Sequence, residues 1–418
     1  MGALSPQALA RQLPLRNKGS LCGRKTMYEE LKAKFEREYG HKAEYIFSAP
    51  GRTELGGNHT DHQHGLVLAA AVTLDTKAAA AENNDGCIRV ISEGYAPVTV
   101  RLDELAVHPE ERNTTAALVR GVAAGFMRRG YSIRGFDTYV VSDVLPGSGL
   151  SSSAAFEVLL GTVINVLSGC ALSPAEVARI GQYAENEYFG KPSGLMDQTA
   201  SAVGGIVAID FADPGAPVIT PVEFDFAGCG YALCIIDSGA DHAELTGEYA
   251  AIPNELKAVC RVFGKEYLRE VDEREFYARI AEVRRAAGDR AVLRAAHVFN
   301  ENRRCAEETA ALGNGDFERF LRLVSESGRS SWMYLQNVVP TGSTARQELA
   351  FALLLCERLL GGRGSFRVHG GGFAGTVQAF VPEDMLEGFR AGVDSVLCAG
   401  SCHVLSIRRE GGCMMEKM

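Results

Sequence analysis

Leu31, Phe35 and Tyr39 recur at helical spacing in MYEELKAKFEREYG (27–40), and Gly40 closes the run, which predicts an amphipathic helix. Short apolar runs follow as strands: EYIFSA, GLVLAAAVTL, CIRVIS, VTVRL and FDTYVV (136–141), with Gly94 and Pro97 turning the chain between the third and fourth. From Ala154 the apolar positions return to helical spacing (AAFEVLLGTVINVL). Ser173 as N-cap, Pro174 at the first helical position and Glu176 as capping-box partner announce the next helix. A helical turn runs from Asp197 to Gly204–Gly205, and the strand IVAIDF follows. Beyond it the pattern predicts the strand YALCIID and helices over 246–264, 273–286, 291–312 and 315–327. A helix over 343–360, strands near 365–368 and 376–381, a helix over 383–397 and a last strand, HVLSIRR, complete the chain. Strands alternate with helices in both halves, so the expected class is α+β in two lobes. The expected division is a tail over 1–26, a first lobe over 27–205 and a second over 206–418.

Composition narrows the partners. At 418 residues the chain exceeds a single ordinary core, and 46% hydrophobic with 23% charged residues is a globular balance. A formal net charge of −9 opposes nucleic acid or an anionic membrane as the main partner, although a pocket of backbone amides can still hold an anion. No apolar run approaches the roughly 18 residues of a membrane span. Five Lys or Arg precede the first acidic residue, Glu29, in a stretch with Pro6 and Pro14, which reads as a loose tail. The 11 cysteines lie scattered between Cys22 and Cys413 without a CxxC, the usage of reduced thiols in a cytoplasmic protein.

The densest candidate chemistry is LPGSGLSSSAA (145–155), a glycine–serine loop between a strand and an apolar helix. A helix N-terminus presents free N–H groups and about half a positive charge, and Gly147 and Gly149 let the backbone curl round an anion. The serines add donors and a possible Mg2+ ligand. A ligand-free serine cap is the alternative. No GxxxxGK[ST] occurs. HGGGFAG (369–375) contains GxGxxG, but the strand TVQAFV follows where a dinucleotide fold needs a helix. It reads as a tight strand connection or a loop near the phosphates.

APGRTELGGNHTDHQHG (49–65) gathers Arg52, Glu54, Asn58, His59, Asp61, His62 and His64 in what reads as a loop between two strands. Such a density of donors and acceptors suits a sugar, whose hydroxyls each want a partner. A metal site from His59, Asp61, His62 and His64 is a rival, weakened because neighbours on an extended segment point in alternate directions. A solvated structural loop is the third reading. Asp197, set between apolar Leu195–Met196 and the helix it opens, is either a cap or a catalytic carboxylate. Glu185, twelve residues upstream, is the second carboxylate that magnesium-assisted phosphoryl transfer needs. Spacing alone does not choose.

Taken together, APGR…GNHTDHQHG, GSGLSSSAAFE, AENEYFGKPSGLMDQ, GEYA and GGGFAG, in this order, resemble the galactokinases of the GHMP kinase superfamily over about residues 27–410. The resemblance implies a ribosomal S5-like N-terminal lobe, a ferredoxin-like C-terminal lobe, and ATP and Mg2+ used in the cleft to phosphorylate the C1 hydroxyl of a monosaccharide, galactose above all. Residue by residue, it implies Asp197 as the catalytic carboxylate and Arg52 as the group that steadies it. It implies Ser153 and Glu185 as magnesium ligands, and Gly147, Ser148, Gly149, Leu150, Ser151, Ser152 and Ser153 as the phosphate loop. Asn58, His59, Asp61, Gly194 and Tyr249 fall where the family holds the sugar. Small molecules alone as partners, a monomer and a cytoplasmic location are the accompanying expectations. An intact Arg52, Ser153, Glu185 and Asp197 favours turnover over a sugar sensor of the same fold, and the polar loop opposes an apolar acceptor.

The chain also departs from the family. Asn58 stands where the family usually has a Glu that meets the sugar C6 hydroxyl. Losing that charge costs galactose about 1 kcal/mol and relieves a C6 carboxylate of roughly 4 kcal/mol of repulsion at an effective dielectric near 20. Asp241, the segment SGRSSWMYLQN (327–337), Val368-His369 and Ala374 are further departures and mark a divergent branch.

Overall fold

The computed structural model describes residues 21–144, 149–240 and 245–418. The first helix, α1 (Leu21–Tyr39), begins inside the expected tail, six residues ahead of the pattern that predicted it. Leu31 and Phe35 are buried against Ile46 and Tyr139, so the predicted apolar stripe is what anchors this helix.

Eight strands make the first sheet. Strand β1 (Tyr45–Gly56) lies along the whole of β2 (Leu66–Glu82), whose 17 residues are too many for one further neighbour. Beyond it come β3 (Cys87–Ser92), β4 (Val98–Arg101) and, after helix α2 (Thr115–Arg128), β5 (Phe136–Ser142). Helices α3 (Ser152–Leu167), α4 (Pro174–Tyr183) and α5 (Met196–Val203) then precede β6 (Ile206–Asp210) and β7 (Val218–Val222). Strand β5 pairs with the Thr76–Glu82 half of β2, and β6 with its Leu66–Ala70 half. The alanines of β2 let the helices sit close: Ala69, Ala78 and Ala80 pack under Val122, Phe126, Val158, Val163 and Ile180. Helix α2 escaped the sequence pattern because Gly121 and Gly125 interrupt it. Both are contact points, since a Cβ there would come within 2.8 Å of Ala184 and Ile180 respectively.

The second sheet is four-stranded and antiparallel, in the order β11 (Cys402–Leu405), β8 (Tyr231–Asp237), β10 (Thr376–Pro382), β9 (Ser365–His369). Between β8 and β9 run α6 (Thr246–Val262), α7 (Glu273–Ala278), α8 (Ile280–Ala287), α9 (Asp289–Gly313), α10 (Phe317–Ser330) and α11 (Glu348–Leu360). Helix α12 (Leu386–Val396) follows β10. One shared core, with Leu68, Val72, Leu233, Ile235, Leu312, Phe320 and Phe380, joins the two sheets through α9 and α10. Among the described residues no helix is long and apolar enough to cross a membrane.

Three expectations about the second half need correction. The division at 205/206 does not separate the sheets, because β6, β7 and the last strand, β12 (Cys413–Lys417), all belong to the first. Buried N–H and C=O groups along β1 and the near half of β2 must be paired, and these later segments pair them. The expected single strand HVLSIRR is likewise divided: Cys402–Leu405 pairs with β8, whereas Arg408 N donates to Ala71 O in the first sheet. Helix α11 starts at Glu348, five residues later than its pattern suggested.

Candidate active site

Where a loop was expected from residue 49, β1 stays extended to Gly56 and only residues 57–65 turn. The polar side chains that suggested a loop are satisfied across the lobes. Thr53 Oγ1 lies 3.0 Å from His369 Nε2, and Arg367 donates to the Glu54 carbonyl and carboxylate at 2.7 and 3.1 Å. Thr60 Oγ1 closes the turn by donating to the carbonyls of Gly57 (2.8 Å) and Leu66 (2.5 Å).

From β1, Arg52 reaches the first turn of α5. Its Nε donates to Asp197 Oδ1 at 2.7 Å and its Nη1 donates to the Gly149 carbonyl. Burial pushes the Asp197 carboxyl up, but the Arg52 charge and hydrogen bond, the Ser151 hydroxyl and the Lys191 charge outweigh it and hold it below the ordinary 3.8. Asp197 is therefore an ionised acceptor at neutral pH. Gly147 and Ser148 lie outside the described residues. The described part of their loop, Gly149 (φ +73°) and Ser151 (φ +56°), leads directly into α3 at Ser152. A Cβ on Gly149 would meet His369 Nδ1 and Thr376 Oγ1 at 2.9 Å, so that glycine is required by both conformation and contact.

On the same helix Ser153 Oγ donates to Glu185 Oε1 at 2.9 Å. Glu185 lies in a π-helical turn (Ala184–Phe189) that continues α4, a distortion common at functional sites. Gln198 Nε2 bridges Glu185 Oε2 and Glu157 Oε2, each at 2.9 Å. Burial and the nearby Glu185 charge push Glu157 well above the usual carboxylate range. Lys191 Nζ is 2.9 Å from Glu185 Oε1. Glu157, Lys191, Gln198 and His369 were missed by sequence reasoning. Lys191 and Gln198 lie within the motif AENEYFGKPSGLMDQ but were given no role, whereas Glu157 was taken as one more position of an apolar helix.

The turn at 57–65 supplies the third group. A Cβ on Gly194 would stand 2.6 Å from Asp61 Oδ2, so these two meet. Burial, with help from the Asp197 charge, raises the Asp61 carboxyl against the opposing pull of His59 and backbone amides. His59 Nε2 lies 3.0 Å from the Gly371 carbonyl and its Nδ1 lies 3.1 Å from His62 Nε2. Tyr249 donates to Gly372 O at 2.9 Å, which ties α6 to the same glycine turn between β9 and β10. His64 instead stacks on Tyr267 with ring centroids 3.5 Å apart, so the four residues of the proposed metal loop do not converge. Asn58 differs most from expectation. It is fully buried, its amide donates to Glu54 Oε1 (3.1 Å) and Gly370 O (2.6 Å), and its carbonyl accepts from Asn337 (3.1 Å). Both N–H donors are thus committed within the protein.

These features coincide with two family models: the GHMP kinase N-terminal domain over residues 117–205, and the galactokinase galactose-binding signature over residues 33–82. The fold and cleft define a GHMP kinase. The chain is 33% identical to the galactokinase of Actinobacillus pleuropneumoniae serotype 3 (strain JL03) over 362 residues, 85% of this chain and 90% of that protein. It is 32% identical to the galactokinase of Glaesserella parasuis serovar 5 (strain SH0165) over 366 residues, 87% and 91% of the two. The crystal structure of Lactococcus lactis galactokinase complexed with galactose superposes with a TM-score of 0.78 at 26% identity, covering 93% of this chain and 99% of that one. The chain belongs to the galactokinase family, a family of sugar kinases that draw their phosphoryl group from ATP.

Proposed function

We propose that this protein transfers the γ-phosphoryl group of ATP to the C1 hydroxyl of galactose. The carrying observation is the Arg52–Asp197 pair at 2.7 Å, set beside the N-terminus of α3 with the turn bearing Asp61 on its other flank. Asp61, His59, Gly194 and Tyr249 would bind the sugar, and Gly147 to Ser153 the phosphates, at the positive end of α3. Asp197 takes the hydroxyl proton. Its depressed basicity makes it a weak base, which suits phosphoryl transfer: the transition state is loose, and the proton leaves late. Arg52 keeps that carboxylate ionised and aimed, and its second nitrogen fixes the phosphate loop at Gly149, so one guanidinium registers acceptor against donor.

Ser153 and Glu185 fit a magnesium ion: a hydroxyl and a carboxylate are hard oxygen donors, here 2.9 Å apart beside the phosphate loop. When bound, that ion would neutralise phosphate charge. The remaining work belongs to the chain, with Gln198, itself bonded to Glu157, fixing the far side of the Glu185 carboxylate. The acidic net charge and the unpaired cysteines among the described residues support a cytoplasmic enzyme, and we read it as a monomer.

The test is ATP consumption with magnesium across galactose, galacturonate, arabinose, glucose and N-acetylgalactosamine. Turnover on galactose is expected. Because Asn58 offers a ligand no donor, weak discrimination at C6 is expected too, and turnover on galacturonate alone would move the substrate. Silence across the panel would contradict the proposal.

A further inference from the structure

Lys191 lends its charge to Asp197 but takes no direct part in the scheme above. Past the π-turn the chain doubles back at Gly190 (φ +84°), where the amides of Gly190 and Lys191 both donate to the Glu185 carbonyl, at 3.0 and 3.1 Å. This fold-back lays the Lys191 side chain against the Glu185 side chain. Its ammonium lies 2.9 Å from Oε1, the same oxygen that accepts the Ser153 hydroxyl. The other Glu185 oxygen is held by Gln198 at 2.9 Å. Behind it Glu157 Oε1 is buried with no hydrogen-bond partner, so the protein leaves a polar atom of this pocket unfilled. Lys191 therefore stands on the carboxylate oxygen that a metal shared with Ser153 would take.

Two cations cannot share that oxygen cheaply. A magnesium ion would sit about 2.1 Å from it, and an ammonium 2.9 Å away on the same atom would face the ion across only about 4 Å. Lys191 has room to leave, because its side chain is 56% exposed while that of Glu185 is 2% exposed. The carboxylate is fixed and the ammonium is mobile on a four-carbon stem.

We propose that Lys191 is a tethered counter-cation that occupies Glu185 in the nucleotide-free enzyme, competes with the divalent ion for it, and is released toward the phosphates when metal and nucleotide enter. The inference rests on the reading of Ser153 and Glu185 as metal ligands. In the empty enzyme the lysine neutralises a buried carboxylate that would otherwise stand uncompensated. In the loaded enzyme it becomes a positive charge available to phosphate oxygens.

The test is Mn2+ binding to the full-length protein without nucleotide, followed by electron paramagnetic resonance, in the wild type, Lys191→Met, Glu185→Gln and the double variant. Methionine keeps the stem and removes the charge. Lys191→Met is expected to bind Mn2+ about fivefold more tightly than the wild type, the scale of one partly exposed ion pair. Glu185→Gln is expected to abolish the site in both backgrounds. Metal-free Lys191→Met should also melt lower than the wild type and gain more from Mn2+, whereas Lys191→Arg should behave as the wild type. Unchanged or weaker Mn2+ binding in Lys191→Met, with Glu185→Gln still abolishing it, would overturn the lysine proposal and leave the metal site standing. Mn2+ binding that survives Glu185→Gln would overturn both.

Discussion

Replacing Gly194 with alanine places a methyl group against Asp61. The new Cβ would stand 2.6 Å from Asp61 Oδ2, about 0.8 Å inside the 3.4 Å at which ordinary contact begins. The Gly194 backbone is anchored by its neighbours, since Ser193 N donates to Asn186 Oδ1 at 2.7 Å and Ser193 O accepts from Gln182 and Asn186. The carboxylate must therefore be the group that gives way. If Asp61 accepts a sugar hydroxyl, losing that charged hydrogen bond costs about 1.5–3 kcal/mol, or roughly 10- to 150-fold in binding. Sugar KM should rise by that factor in Gly194→Ala, with KM for ATP unchanged and kcat falling much less, because Arg52 and Asp197 are untouched. Gly194 is exposed, so thermal stability should stay near the wild-type value. Steady-state kinetics with each substrate varied in turn separates these terms. A folded variant whose sugar KM stays within twofold of the wild type would refute the placement of Asp61 at the sugar.

Other consequences concern protons and caps. Asp61 is raised above 3.8 and Asp197 held below it, so the acid limb of kcat/KM should fall above the ordinary carboxylate range; a limb at or below 3.8 would contradict an essential ionised Asp61. Fully buried His297, whose ring nitrogens lie 2.8 Å from Ser330 Oγ and 3.0 Å from Asn58 O, is pushed by burial from 6.5 down to about 4. The unfolded chain binds that proton first, so stability should drain away as pH drops from 6.5 toward 4, by about 3 kcal/mol in all. Denaturant unfolding across that window measures it, and a His297→Gln variant with the same pH slope would refute the assignment. Ser173→Ala removes the hydroxyl half of the capping box on α4, leaving the Ser173 N–H to Glu176 bond, and should cost about 1 kcal/mol in the same assay, with sugar KM unaffected.

Local signals were legible where local physics sets them. Ser173, Pro174 and Glu176 specify a helix start with no help from the rest of the chain, and the cap forms as read. Asp197 and Arg52 stood out in motifs dense in chemistry, but only the family resemblance coupled them, since nothing in either segment states that they meet across 145 residues. What escaped depends on distant partners. Thr53 and Glu54 look like loop residues until His369 and Arg367 arrive from the other lobe to satisfy them, and only then does β1 run on to Gly56. CMMEK carries a weak strand pattern, and β12 forms because the edge of β1 offers it unpaired backbone. The family resemblance put Asn58 at the sugar, and its sequence neighbours could not show that Glu54, Gly370 and Asn337 hold its amide.

The central claim is that Asp197 receives the proton while phosphate goes to C1. Phosphorus NMR of the product formed from 13C1-labelled galactose, by the wild type and by Asp197→Asn, tests it most directly. The account predicts a phosphorus signal split by the labelled carbon, at a rate about 10²- to 10⁴-fold lower in the variant, with calorimetric binding of sugar and ATP retained. Phosphate on another oxygen, or an Asp197→Asn rate within a few-fold of the wild type, would contradict it.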